Sequence, residues 1–386
     1  MVENAQTTGA FLITFAVLQT VFFLLLVRFL DLYEHEPLST LALMTVWGAV
    51  GATALSAVGN QIGNQILEGF NPDFADVFGP AIAAPTVEEV AKGMALVGAF
   101  VFSAWAHKSF GTKRLRGLTD GLVYGAAVGL GFAFTEDVKY LFDVAASGDF
   151  AEGVSVFAGR RDFIGLGMLQ HAIFTGMFGV GVGLATWARR WWWKGIMPIL
   201  GLATAILLHA FNNGFVEFRL AQEHGLEMTR RFVFTVAAAG LKRAERSPAF
   251  GPDIVDSYTS AVTFVRIGNV VIFIALMGLA AWWLAFQRKV IRQELPEEVD
   301  KGLINGRDWE LVPSFGRRLM WYLDLIRVKE FERVRVFRKL HIELANLALL
   351  KWRNKGWGLD EKEMQASRQR VATMKAEAKV DVYAPP

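Results

Sequence analysis

The stretch TVEEVAKGMALVGAFVFSAWA, residues 86–106, decides the fold. Beyond Lys92 it carries no charge, and with the apolar residues before it the block runs over 79–106, long enough to cross a bilayer as a helix. Yet Glu88, Glu89 and Lys92 stand inside it. A charge at the bilayer centre costs roughly 2.5–3.5 kcal/mol on insertion scales, so intramembrane ionisable residues usually mark function. Pro80 and Pro85 suggest a short lead-in before a helix from about Val87.

Working outward, six further apolar blocks appear at 9–30, 38–59, 120–142, 163–187, 195–217 and 260–286. The expectation is an all-α, polytopic transmembrane bundle of about seven spans, residues 1–286, followed by a helical cytoplasmic tail, residues 287–386. Of the 386 residues, 53% are hydrophobic, too many for a soluble domain of this size. The first block has no Lys or Arg before it and no evident cleavage site, so it reads as a retained helix. Residues 62–76 read as an interfacial segment. With no cysteine, thiolate metal sites, disulfides and cysteine nucleophiles are excluded. A net charge of +3, with the bases confined to short loops and the tail, does not point to nucleic acid.

Those loop bases set an orientation. Lys108, Lys113, Arg114 and Arg116 follow the third span; Arg189, Arg190 and Lys194 follow the fifth; Arg288, Lys289 and Arg292 follow the seventh. With seven spans these loops share the cytoplasmic side, and the N-terminus is outside the cell membrane. Glu88, Glu89, Glu136, His171 and His209 then fall at one level, on the order of 10 Å below the outer surface at 1.5 Å rise per residue.

Each motif has a plain reading beside its chemical one. Thr86 to Glu89 fits a capping box, and Glu88 with Lys92 fits an i,i+4 ion pair. Glu136 and Tyr140 share a helical face, and Asp137 with Lys139 fits a membrane exit. Asp120 reads as an N-cap. Gly121, Gly125 and Gly129, like Gly176, Gly179 and Gly183 after His171, read as close helix packing. His209 and Asn213 are one turn apart and project from one face. Together these residues suffice for peptide hydrolysis: a glutamate activating water, a histidine serving the leaving amine, and His209 with Asn213 polarising the carbonyl. Glu88, Glu136, His171 and His209 equally form a candidate ligand set for a divalent metal such as zinc. No His-Glu-x-x-His run and no Gly-x-Ser-x-Gly setting in the spans is present.

The order Glu88-Glu89-x-x-Lys92, Asp120-Gly-x-x-Tyr124-Gly, Phe132-x-x-x-Glu136, His171 with its trailing glycines, and His209-x-x-x-Asn213 resembles the PrsW family of membrane proteases, related to the type II CAAX prenyl proteases. The resemblance covers about residues 10 to 285. It implies intramembrane or membrane-proximal hydrolysis of a membrane-anchored protein on the extracytoplasmic side, an anti-sigma-factor-like substrate among the candidates. By motif it makes Glu88 and Glu89 the leading catalytic pair, completed by Glu136, His171, His209 and Asn213, with Lys92 and Tyr140 supporting. Asp137 departs from the expected asparagine.

Residues 218–259 form an outer loop, helical around Ala221–Arg243 and broken at Ser247–Pro252; it reads as a lid, a docking element or a plain connector. In the tail, Phe315 to Trp352 reads as one or two amphipathic helices whose bases suit either solvent or anionic lipid. Asp360–Lys379 reads as a loose helix and Val380–Pro386 as disordered. The rival from another class is a non-catalytic transporter or assembly factor using the polar cluster for ions or packing. No internal repeat between the halves supports it.

Overall fold

The computed structural model describes residues 2–33, 36–110, 115–146, 166–188, 190–239, 241–357 and 361–377. Lys113, Arg114, Arg189 and Val380–Pro386, used above, lie outside them. Among the described residues the chain is helical throughout, without a strand. Among the described residues five helices are long and apolar enough to cross a membrane, including Gly9–Phe29 within α1 (Val2–Leu30), α2 (Leu38–Phe70), Leu118–Tyr140 within α5 (Leu118–Ala146) and α7 (Trp191–His224). The fifth begins at Pro252 and includes α10 (Pro252–Glu294). Between them lie α3 (Pro72–Phe78), α4 (Ala84–Phe110), α6 (Leu166–Ala185), α8 (Leu226–Ala239) and α9 (Leu241–Glu245).

The chain divides into two compact units, and the first holds Pro37–Trp105 and Arg114–Ala275 together with Met1–Val27. Its centre is the pairing of α5 with α6. A Cβ built at Gly121, Gly125 or Gly129 would overlap the backbone carbonyl of Gly179, Thr175 or His171. These glycines let the two backbones touch, as small residues do where lipid gives helices no hydrophobic reason to associate. Gly48 and Gly131 serve the same end between α2 and α5.

Two π-helical turns shape the rest. The turn Trp47–Ala52 interrupts α2. Thr53 Oγ1 donates to the Gly48 carbonyl at 3.0 Å and Thr135 Oγ1 to the Ala49 carbonyl at 2.7 Å. Trp47 Nε1 donates to the Ala91 carbonyl at 3.1 Å, tying α2 to α4. The second turn, Gly79–Ala83, joins α3 to α4. Ala84 N–H donates to the Gly79 carbonyl. The next such rung would run from residue 85 to the Pro80 carbonyl, but Pro85 has no N–H to give.

Several sequence readings shift accordingly. Helix α2 continues to Phe70, so most of the expected interfacial segment 62–76 is helical and Asn60 lies mid-helix. Helix α4 starts at Ala84, and Thr86 Oγ1 donates backward to the Ile82 carbonyl at 2.8 Å, so Thr86 and Glu89 form no capping box. Asp120 sits in the first turn of α5 and accepts the Arg116 N–H at 2.6 Å.

The second unit comprises Arg28–Glu36, Ala106–Lys113 and Leu276–Pro386. After α10 come α11 (Pro296–Asp300), α12 (Gly306–Leu311), α13 (Phe315–Arg327), α14 (Phe331–Trp357) and α15 (Glu361–Glu377). The stretch from Phe315 to Trp352 is therefore two helices. Tyr33, Ile291, Leu295, Leu325, Phe337, Leu340 and Leu344 share its core. Glu298 is fully buried and held by Lys351 at 2.8 Å and Arg368 at 2.7 Å.

Candidate active site

Helices α4, α5, α6 and α7 bring one polar residue set together inside the first unit. Glu88, Glu89, Lys92, His171 and His209 are all buried, Glu89 and Lys92 completely. Lys92 Nζ lies 2.8 Å from Glu89 Oε1 and 3.6 Å from Glu88 Oε2. The i,i+3 pair is thus the closer one. The same ammonium sits over the Phe132 ring, 3.8 Å from its centroid.

Hydrogen-bond chemistry assigns the imidazoles. Lys92 Nζ is 3.1 Å from His171 Nδ1, and an ammonium can only donate, so Nδ1 accepts. The ring proton is therefore on Nε2, which donates to Glu136 Oε2 at 2.8 Å. His209 Nδ1 is 3.0 Å from Glu89 Oε1, and a carboxylate can only accept, so Nδ1 carries the proton. The other His209 nitrogen, Nε2, faces Glu88 Oε2 at 3.8 Å. The two rings meet edge to face at 5.0 Å, and Phe174 stacks on His209 at 5.0 Å.

The two glutamates differ. Glu89 is saturated: beyond Lys92 and His209, its Oε2 accepts from Thr175 Oγ1 at 3.0 Å. Glu88 Oε1 accepts from Asn60 Nδ2 at 3.3 Å, while Oε2 is buried without a hydrogen-bond partner. A buried carboxylate oxygen that accepts no hydrogen bond calls for an explanation, and a catalytic or ligating role is one.

Glu88, His171 and His209 each offer a ligand atom, all within 4.8 Å of one another. This oxygen-and-nitrogen set suits a borderline divalent ion. Glu88 Oε2, which accepts no hydrogen bond, and His209 Nε2 fit that reading, and Glu89 stands behind His209 as an outer carboxylate stands behind a metal-binding histidine, whereas both His171 nitrogens are engaged, by Lys92 and Glu136.

Asn213 bonds to groups outside the cluster. Asn213 Nδ2 donates to the Pro80 carbonyl at 3.5 Å, and its Oδ1 accepts from Asn212. Asn212 in turn accepts from Asn269 of α10 at 3.0 Å. The Tyr140 ring lies 5.7 Å from Lys139 Nζ. Conversely, Asn60, Phe132 and Thr175 hold the site and had no assigned role. The signal for two of them was spacing: Thr175 is one turn after His171, and Phe132 one turn before Glu136.

Residues 36–240, more than half of the chain, match the family described as PrsW family intramembrane metalloprotease. The chain belongs to the PrsW family. It is a membrane protease by that membership. No curated protein and no solved structure matches it. The PrsW match spans α4, α5, α6 and α7, and so contains every residue of the polar cluster.

Proposed function

We propose that this PrsW-family protein hydrolyses a membrane-anchored protein near its outer membrane boundary, with Glu88 as the reactive carboxylate and Glu89 as its support. The observation that carries the reading is the asymmetry of the pair: Glu89 is saturated by hydrogen bonds from Lys92, His209 and Thr175, whereas Glu88 Oε2 accepts no hydrogen bond and meets Lys92 and His209 only at 3.6 and 3.8 Å. Glu88 takes a proton from water as the water oxygen bonds to the peptide carbonyl carbon. His209, held in one tautomer by Glu89, faces that event. The proton then passes to the leaving amine as the C–N bond breaks, with His171 and Glu136 forming the adjacent proton-bearing pair. Asn213 stands one turn along α7, near enough in sequence geometry to meet the substrate once it leaves the Pro80 carbonyl.

In the competing, metal-dependent reading Glu88, His171 and His209 would instead hold a divalent metal such as zinc, with Glu136 as a fourth candidate, and His171 would have to release either its Nε2 proton to Glu136 or the Lys92 hydrogen bond at Nδ1. A bound ion supplies Lewis acidity toward the carbonyl and makes water easier to deprotonate. The loop bases support seven spans, with the N-terminus outside and residues 287–386 cytoplasmic. On that topology residues 1–286 form the protease domain and 218–259 its outer loop, placed to meet a substrate. The tail bases suit anionic lipid, and no nucleic-acid partner is proposed.

Cells carrying the wild type or Glu88→Gln at equal levels provide the test, scored for shortened extracytoplasmic fragments of anchored proteins. One or a few proteins clipped only by the wild type support the reading. Identical fragment profiles, with the variant folded, would remove it. In isolated membranes, stringent chelation should stop the clipping and zinc should restore it if the metal reading holds.

A further inference from the structure

The second unit contains a cavity of about 590 Å³ lined by Tyr33, Leu284, Ala285, Arg288, Lys289 and Arg292, among others. Three of these side chains are cationic, and among the described residues no carboxylate lines the cavity. Glu294, on the same helix, is engaged by Lys355 Nζ at 2.7 Å. Arg318 adds a fourth positive charge nearby, its guanidinium 5.2 Å from the Tyr33 ring. Tyr33 is fixed by its hydroxyl donating to the Pro313 carbonyl at 3.0 Å, so the aromatic wall is rigid. Like charges gathered around one concavity repel each other unless an anion joins them.

The position of the cavity along α10 says which anion. The candidate span within this helix has only 6% of its window buried in the protein, so its apolar surface is left to lipid. That surface ends in Trp282, Trp283 and Phe286, packed on one another at 5.3 to 6.2 Å. Tryptophans gather where acyl chains give way to headgroups. Arg288 follows Phe286 by two residues, which puts the bases at headgroup depth. Leu284 and Ala285 line the same cavity and offer apolar contact on its membrane-facing side. The match is to a molecule with an anionic phosphate and an attached acyl glycerol.

We propose that this cavity is a binding site for the phosphate headgroup of an anionic phospholipid, bound by Arg288, Lys289 and Arg292 against Tyr33. It is separate from the Glu88 cluster, and its occupancy does not depend on peptide hydrolysis.

The test uses the full-length purified chain in neutral detergent, titrated with a fluorescent phosphatidylglycerol and, separately, with the matching phosphatidylcholine. The expected result is one saturable phosphatidylglycerol site and much weaker phosphatidylcholine binding. Replacing two bases, as Arg288→Gln with Arg292→Gln, should weaken phosphatidylglycerol about 30-fold, at about 1 kcal/mol per base near a membrane surface. Ala285→Trp keeps every charge and fills the cavity; it should weaken binding comparably. Arg317→Gln with Arg335→Gln, bases outside the cavity, should change it less than twofold. Equal loss in that control, or unchanged binding in both cavity variants, would overturn the site. Competition by millimolar inorganic phosphate as effective as by lipid would show a free-phosphate site and overturn the lipid assignment.

Discussion

Glu89, not Glu88, is the residue on which the cluster is built. It lies fully buried among a lysine, a histidine and a threonine, and each of its contacts fixes another group. Thr175 is the weakest of these holds and so the best probe. In Thr175→Val the shape is kept and Glu89 Oε2 loses its donor, at a cost of about 1–3 kcal/mol for an acceptor left unsatisfied in the interior. Thermal unfolding in detergent should register that loss, and fragment production in cells should fall without vanishing. An unchanged midpoint and unchanged cleavage would show that the threonine does not support Glu89. The acids, histidines and lysine of this cluster were legible in the sequence, because an ionisable residue in an apolar block is conspicuous. Their division of labour was not. Adjacent glutamates look alike until Thr175 and Asn60, ordinary polar residues on two other helices, are seen to reach one each.

Elements bring those residues together through glycine. Helices α5 and α6 approach until carbonyls occupy the places that side chains would take at Gly121, Gly125 and Gly129. The same two helices carry Glu136, His171 and Thr175, so their spacing sets the geometry of the site. Gly125→Val should force the helices apart, destabilising the fold by about 1–3 kcal/mol as overpacked cores do, and cutting proteolysis further than the stability loss explains. Gly98→Ala on α4 is the matched control, since an added Cβ there meets open space. It should leave both stability and cleavage within error or slightly improve the former. Equal behaviour of the two variants would contradict a packing role for the stripe. The sequence showed this stripe through its four-residue repeat. It did not show the π turns at Trp47–Ala52 and Gly79–Ala83, which depend on threonine and asparagine side chains from other helices satisfying displaced carbonyls. Nor did it show that α2 reaches past Asn60, because the polar residues from Asn60 onward resemble a loop when read alone.

At the scale of the whole molecule, two units with different chemistry share one chain. The second has its own acid-sensitive point. His341 is fully buried, with Nδ1 2.7 Å from the Tyr322 hydroxyl, and burial with the nearby Arg318 pushes its pKa down from 6.5 to about 3. A histidine depressed in the fold takes up its proton first when unfolded. The stability it contributes is therefore complete above about 6.5 and lost as pH falls toward about 3. Hydrogen exchange of α13 and α14, corrected for intrinsic rates, should show protection declining between pH 7 and pH 5. His341→Gln should flatten that decline, and an equal decline in the variant would assign it to other groups. The first unit carries the Glu88 cluster, in which Glu88 is proposed to react. The most direct measurement is turnover of the clipped protein by the full chain reconstituted in liposomes, comparing wild type, Glu88→Gln and Glu89→Gln. Glu88→Gln should lower kcat by about 10²–10⁴-fold, the range for loss of a general base, with thermal stability kept. Glu89→Gln should lower both rate and stability, because Lys92 and His209 lose their shared anionic partner. A Glu88→Gln enzyme turning over at the wild-type rate would contradict Glu88 as the reacting carboxylate.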